Sequence, residues 1–126
     1  MRTGLIFIAF FAVAGASTAQ EVRTLSGLDF MIMAPELAGQ RVRIEGGRVD
    51  DAAFDTTMLR LPGGDVFLRP PWIDRSDFRH LIPTCVEKHY RAPEQDDACT
   101  ITIEAMVTGE SVMERPILTD VKFIFE

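Results

Sequence analysis

The chain has 126 residues, with 13 Lys and Arg against 19 Asp and Glu and a formal charge of −6. That balance argues against nucleic acid or an anionic bilayer as partner, because affinity for either rests on neutralised phosphates. The length fits one domain with a single core of small margin, in which one covalent staple matters.

Residues 1–19, MRTGLIFIAFFAVAGASTA, have the pattern of a secretory signal: Arg2 as the charged end, an apolar run from Leu5 to Val13, and small residues Ser17-Thr18-Ala19 for cleavage. The apolar run is too short to span a bilayer, and Ser17 stands where a lipoprotein signal needs cysteine. The expectation is therefore a mature domain over 20–126, beginning near Gln20, periplasmic or secreted and without a stable membrane anchor. Removing Arg2 takes the formal charge to −7. In an oxidising compartment the two cysteines, Cys85 and Cys99, are expected to pair.

The segment from Gln20 to Pro35 is apolar at Leu28, Phe30, Met31, Ile32 and Met33 but fits neither the helical nor the strand period. Arg41 to Glu45 alternates charged and apolar residues, which predicts a strand with one buried face, and Gly46-Gly47 marks a bulge or hard bend. A second strand is predicted over Thr57–Leu61, a turn at Pro62-Gly63-Gly64-Asp65 and a third strand over Val66–Arg69. Pro70-Pro71 is expected to halt pairing, since neither residue donates to a ladder. Ile73–Ile82 predicts a short helix with Asp74 or Ser76 as cap and Phe78, Leu81 and Ile82 inward, interrupted by Pro83. Val86–Tyr90 reads as a further turn and Ala92–Asp97 as an acidic loop. Thr100–Thr108 alternates clearly and Gly109 closes it, while Ile117–Glu126 forms a last strand with Val121, Phe123 and Phe125 on one face.

Three strands, one short helix and two more strands is the order of an OB-fold: all-β, a five-stranded barrel with a helix between strands three and four. A small β-sandwich is the alternative. The run Leu37-Ala38-Gly39-Gln40-Arg41-Val42-Arg43-Ile44-Glu45-Gly46-Gly47, the middle region closing on Cys85, the stretch from Cys99 to Gly109 and the terminal Pro116-x-Leu118-x-x-Val121-x-Phe123 together resemble small exported bacterial OB-fold proteins of uncharacterised function. The resemblance implies a disulfide-stapled barrel and a generic binding scaffold, with no catalytic residues. Gln20–Ala34 has no counterpart in the basic barrel and reads as a pairing arm or a cap.

No motif names a reaction. His80, Cys85, His89 and Cys99 carry zinc-binding atoms but lack the close ligand pairs of a zinc motif, and no metal or other cofactor is expected. Ser76 and His80 lie four apart with Asp77 beside them, yet no strained nucleophile turn or oxyanion hole accompanies them, and Ser76 is better explained as a helix cap. Glu94, Asp96 and Asp97 lack the spacing of a calcium loop.

The binding candidates are Arg41, Arg43, Arg60 and Arg69, outward on the early strands if Val42 and Ile44 face inward, and Trp72 beside the two prolines. Arginines on one sheet face suit a carboxylate or phosphate; cross-strand pairing with acids is the plainer explanation. Trp72 is either a stacking platform or a barrel plug. The resulting expectation is a non-enzymatic envelope binding module that recognises a protein or anionic ligand through its early-strand face. The alternatives are a structural protein pairing through a strand edge, or a small hydrolase or metal-dependent enzyme.

Overall fold

The computed structural model describes residues 21–86 and 99–125. The predicted signal segment, the turn expected after Val86, His89 and the acidic loop lie outside them.

Five strands close into a barrel. They are β2 (Arg41–Asp51), β3 (Thr57–Leu61), β4 (Gly64–Leu68), β5 (Thr100–Val112) and β6 (Arg115–Ile124), preceded by a short β1 (Arg23–Ser26). The order around the barrel is β2-β3-β4-β6-β5 and back to β2, antiparallel throughout except for the parallel β4–β6 pair. This is the OB-like all-β class expected from the element order, with helix α2 (Phe78–Leu81) between β4 and β5.

Closure depends on β2 serving two partners. Its first half pairs with β5 (Arg41 to Met106, Ile44 to Ile103) and its second half with β3 (Arg48 to Arg60, Val49 to Leu59). The register shifts between Ile44 and Gly47, and Gly46 sits at φ 78°. The inward residues are Val42 and Ile44 before the bulge and Gly47 and Val49 after it, an odd step that a plain two-residue alternation does not make. Gly47 is needed for a different reason: a Cβ there would lie 2.8 Å from three atoms of the buried Leu59 side chain.

The N-terminal segment acts as both an arm and a cap. β1 runs parallel to the first half of β2, Arg23 opposite Val42 through Ser26 opposite Glu45. Ser26 Oγ then accepts the Asp29 backbone N–H at 3.1 Å and starts α1 (Gly27–Met33), a helix absent from the one-helix expectation. Only Gly27 and Phe30 of α1 are fully buried, while Leu28 and Ile32 remain exposed; an inward face this narrow leaves no readable period. Gly27 packs on Leu61 and Pro62, and Gly64 on Met31, so α1 covers the end of the barrel where β3 turns into β4.

At the other end β2 leads into β3, and Thr57 closes the connection: its fully buried hydroxyl donates to the Ala53 carbonyl at 3.0 Å and accepts the Ala53 N–H at 3.2 Å. A 3₁₀ turn (Arg75–Asp77) leads into α2 there, and a π turn (Ile82–Val86) carries the chain on through Pro83, which does not stop it. The cap is Asp74, whose carboxylate accepts from both the Ser76 N–H and hydroxyl, so Ser76 is a donor to the cap and not the cap itself. Phe78 and Leu81 are buried as expected.

Pro70-Pro71, joined by a cis peptide, interrupts the β4–β6 ladder without ending it. Proline lacks a donor but keeps its carbonyl: Pro71 accepts the Val121 N–H at 3.2 Å, Pro70 accepts the Thr119 hydroxyl at 2.9 Å, and Ile73 N–H then donates to Val121 at 2.8 Å. Gly109 (φ 87°) likewise bulges β5 without closing it. β5 and β6 continue as a hairpin to a tight turn at Met113 (φ 51°) and Glu114 (φ 66°), past the Gly109 and Ile117 bounds expected from the alternation. Phe125 lies past the end of β6 and is exposed, unlike Val121 and Phe123.

Cys85, in the π turn, is bonded to Cys99, one residue before β5, with Cα atoms 5.5 Å apart and both residues buried. The bond fastens the helical connection to the start of β5. No helix among the described residues is long and apolar enough to cross a membrane.

Candidate binding surfaces

The four arginines singled out from the sequence lie in two separate places, and three of them, Arg41, Arg43 and Arg60, are in ion-pair networks. Arg41 and Arg43 belong to the first half of β2, beside β5, and both face Glu104, at 3.9 and 3.4 Å. Arg41 also donates to the Asp120 carbonyl at 2.9 Å. Asp120 has a positive φ (50°) and lies where β6 departs from regular alternation, so this arginine satisfies an acceptor beside an irregular stretch of ladder. Their role in the structure is local pairing.

The second network lies on the outer face of β3 and β4. Arg60, about half exposed, reaches Asp50 at 3.0 Å and Asp65 at 3.5 Å, and Asp65 also receives Arg115 at 3.8 Å. Arg48, carried onto the outer side by the β2 bulge, lies 3.4 Å from Asp50. Met58 and Phe67 are directly opposite each other and half-buried, with the Arg115 guanidinium 5.8 Å from the Phe67 ring. Arg69 continues the outward row of Asp65 and Phe67; it is exposed and has no ion pair among the described residues. Arg48 and Arg115 were missed from the sequence. The odd step across Gly46-Gly47 was the available signal for Arg48; nothing local marked Arg115.

Trp72 is half-buried and does two structural jobs. Its indole N–H donates to the Phe54 carbonyl at 2.8 Å, and its ring packs against Phe78 at 5.0 Å and Phe123 at 5.9 Å. Phe54 approaches Phe78 at 4.9 Å, so the cluster continues outward to an exposed ring. Beside it lies an open recess of about 540 Å³ between the β2–β3 loop and the helical connection. Phe54, Phe78, Ile82 and Pro83 give it apolar walls, and Arg75 and Arg79 stand at its rim, with the Arg75 guanidinium 4.3 Å from the Phe54 ring centroid. An aromatic in a hairpin loop was the only sequence sign of this recess.

Asp77, at the root of α2, is half-buried with Oδ2 unpartnered among the described residues. Burial raises its pKa, helped by the nearby Asp74, while the Phe123 backbone N–H and Lys122 pull the other way. The exposed Asp74 is shifted down, first by its bond from the Ser76 hydroxyl and then by the Ser76 N–H.

The groups weighed for catalysis are not assembled. Ser76 Oγ is 2.6 Å from Asp74, and the His80 ring packs edge-on against Phe125 at 4.6 Å. The disulfide withdraws both thiols from metal ligation, and the described residues hold no cluster of three or more potential ligands. No family model matches the chain, and no curated protein or solved structure matches it.

Proposed function

We propose that the protein is an exported, non-enzymatic binding module of the cell envelope that engages an anionic protein surface or ligand through the outer face of β3 and β4. The observation that carries this reading is Arg69, exposed and without an ion pair among the described residues, in the same outward row as Phe67 and one strand from the half-exposed Arg60. In OB-folds the outer face of these strands is a common ligand platform, and arginine offers a planar fork of donors to carboxylate or phosphate. Arg41 and Arg43 are left out of the contact surface because they pair with Glu104 and the Asp120 carbonyl and are more buried than Arg60, which stays about half exposed although Asp50 and Asp65 pair with it. The signal-like N-terminus, the disulfide and the resemblance to exported OB-fold proteins support the compartment.

The test is parallel affinity capture from the organism's own envelope extract with the wild-type domain and with Arg60→Glu/Arg69→Glu. The partner is expected to be lost from the variant and to weaken with salt on the wild type, since exposed charges act through screened fields. Equal capture by both overturns the reading. A second reading, pairing through a strand edge, draws on β1, which ends the sheet order with β2 as its one strand neighbour among the described residues. Replacing Thr24 with proline would abolish capture in that case and leave it unchanged if the β3–β4 face is the contact.

A further inference from the structure

We propose that the recess beside Phe54 is a second binding site, independent of the β3–β4 face, and that it takes a medium-chain acyl carboxylate. Its volume of about 540 Å³ falls in the range of small-molecule sites. Its walls are two phenyl rings, an isoleucine and a proline, which offer a hydrocarbon chain contact area and almost nothing to hydrogen-bond.

Among the described lining residues the polar features are confined to the rim, and the charged ones have one sign. Arg75 and Arg79 are exposed and neither has an ion pair among the described residues. Ser76, also at the rim, gives its hydroxyl to the Asp74 carboxylate at 2.6 Å, and no carboxylate is among the described residues that line the recess. Arg75 over the Phe54 ring is partly desolvated on that side while keeping donors at its edge, the condition in which a carboxylate is gripped most strongly.

Two cations at the mouth of an apolar hollow match a ligand with one anionic head and one apolar body. A peptide fits less well, because its repeated amides would meet walls without partners and lose their water uncompensated. The acyl chain has no such groups.

The chain contains one tryptophan, and Trp72 is hydrogen-bonded to the Phe54 carbonyl and packed on Phe78, two residues that line the recess, so its fluorescence is a reporter beside the site. The experiment titrates the disulfide-bonded domain with dodecanoate below its micelle concentration, with dodecyltrimethylammonium and acetate as controls. Saturable one-to-one binding of dodecanoate is expected, with the cationic amphiphile and acetate each at least tenfold weaker. Arg75→Ala/Arg79→Ala, checked for folding by circular dichroism, is expected to weaken dodecanoate about tenfold or more, the usual scale for a lost charge-assisted hydrogen bond. Phe54→Ala tests the wall separately and is expected to weaken it likewise. Absence of saturable binding, equal binding of the cationic amphiphile, or a folded double-arginine variant with wild-type affinity would each overturn the proposal. Arg60→Glu/Arg69→Glu is expected to leave dodecanoate binding unchanged, which separates this site from the face proposed above.

Discussion

Gly46 and Gly47 bend the strand that closes the barrel, and they do so for different physical reasons that mutagenesis separates. An alanine Cβ at 47 would stand 2.8 Å from Cγ, Cδ1 and Cδ2 of Leu59, whereas relaxed carbon contacts lie near 3.5 to 4.0 Å. Leu59 is fully buried, so its side chain has nowhere to retreat. Overpacking of this kind costs about 1 to 3 kcal/mol, offset by about 0.4 to 1 kcal/mol from the stiffer unfolded chain. Gly47→Ala should therefore destabilise by about 1 to 2 kcal/mol, read by urea unfolding at unchanged m-value. In a Leu59→Ala background, itself costing about 2 to 5 kcal/mol, the clashing atoms are gone and Gly47→Ala should become neutral or slightly stabilising. Gly46→Ala meets nothing within 4 Å but must hold φ near 78°, so its cost of about 1 to 2 kcal/mol should be the same in both backgrounds. If Gly47→Ala costs as much with Ala at 59 as with Leu, steric contact is not the reason for glycine there.

Three further outcomes are expected. Replacing Met113-Glu114 by Asn-Gly should stabilise by about 1 to 2 kcal/mol in the same unfolding assay, because both exposed residues hold positive φ in a two-residue hairpin turn; no gain would mean that the turn is not strained. Replacing Cys85 and Cys99 by serine should cost about 3 kcal/mol, on the chain-entropy scale for a loop closed across a separation of 14 residues, and thermal unfolding of oxidised and reduced protein should differ accordingly. Asp77→Asn should stabilise at neutral pH, where the wild type holds an ionised carboxylate in a site that resists charge. Because the folded pKa is raised above the ordinary 3.8, the wild type binds this proton more tightly when folded; the variant's advantage is present above the folded pKa and disappears as pH falls through it towards 3.8. A constant advantage from pH 7 to pH 3 would refute the assignment.

The sequence by itself determined the elements whose side chains alternate against one core. Val42 and Ile44, Leu59 and Leu61, and Ile101 to Val107 point inward because a strand with one wet face repeats every two residues, and their order with one helix before β5 is enough to name the barrel class. The cysteine pair was legible for a different reason, two thiols in a chain whose first residues have the pattern of an export signal. What the tertiary structure decided lies where periodicity breaks or partners are distant. The bulge at Gly46-Gly47 moved Arg48 to the outer side, and Glu104, 61 residues from Arg43, took the arginines that alternation alone would have offered to a ligand. An arm or a cap over residues 20–34 was expected because the segment has no counterpart in the basic barrel, but its strand and helix were not legible, because a four-residue parallel strand and a helix with one buried large side chain leave no repeat to find. The recess at Phe54 exists only because a hairpin loop and a helical connection, separated along the chain, meet at one end of the barrel; pairing partners and cavities belong to the closed sheet, and no local stretch of residues encodes them.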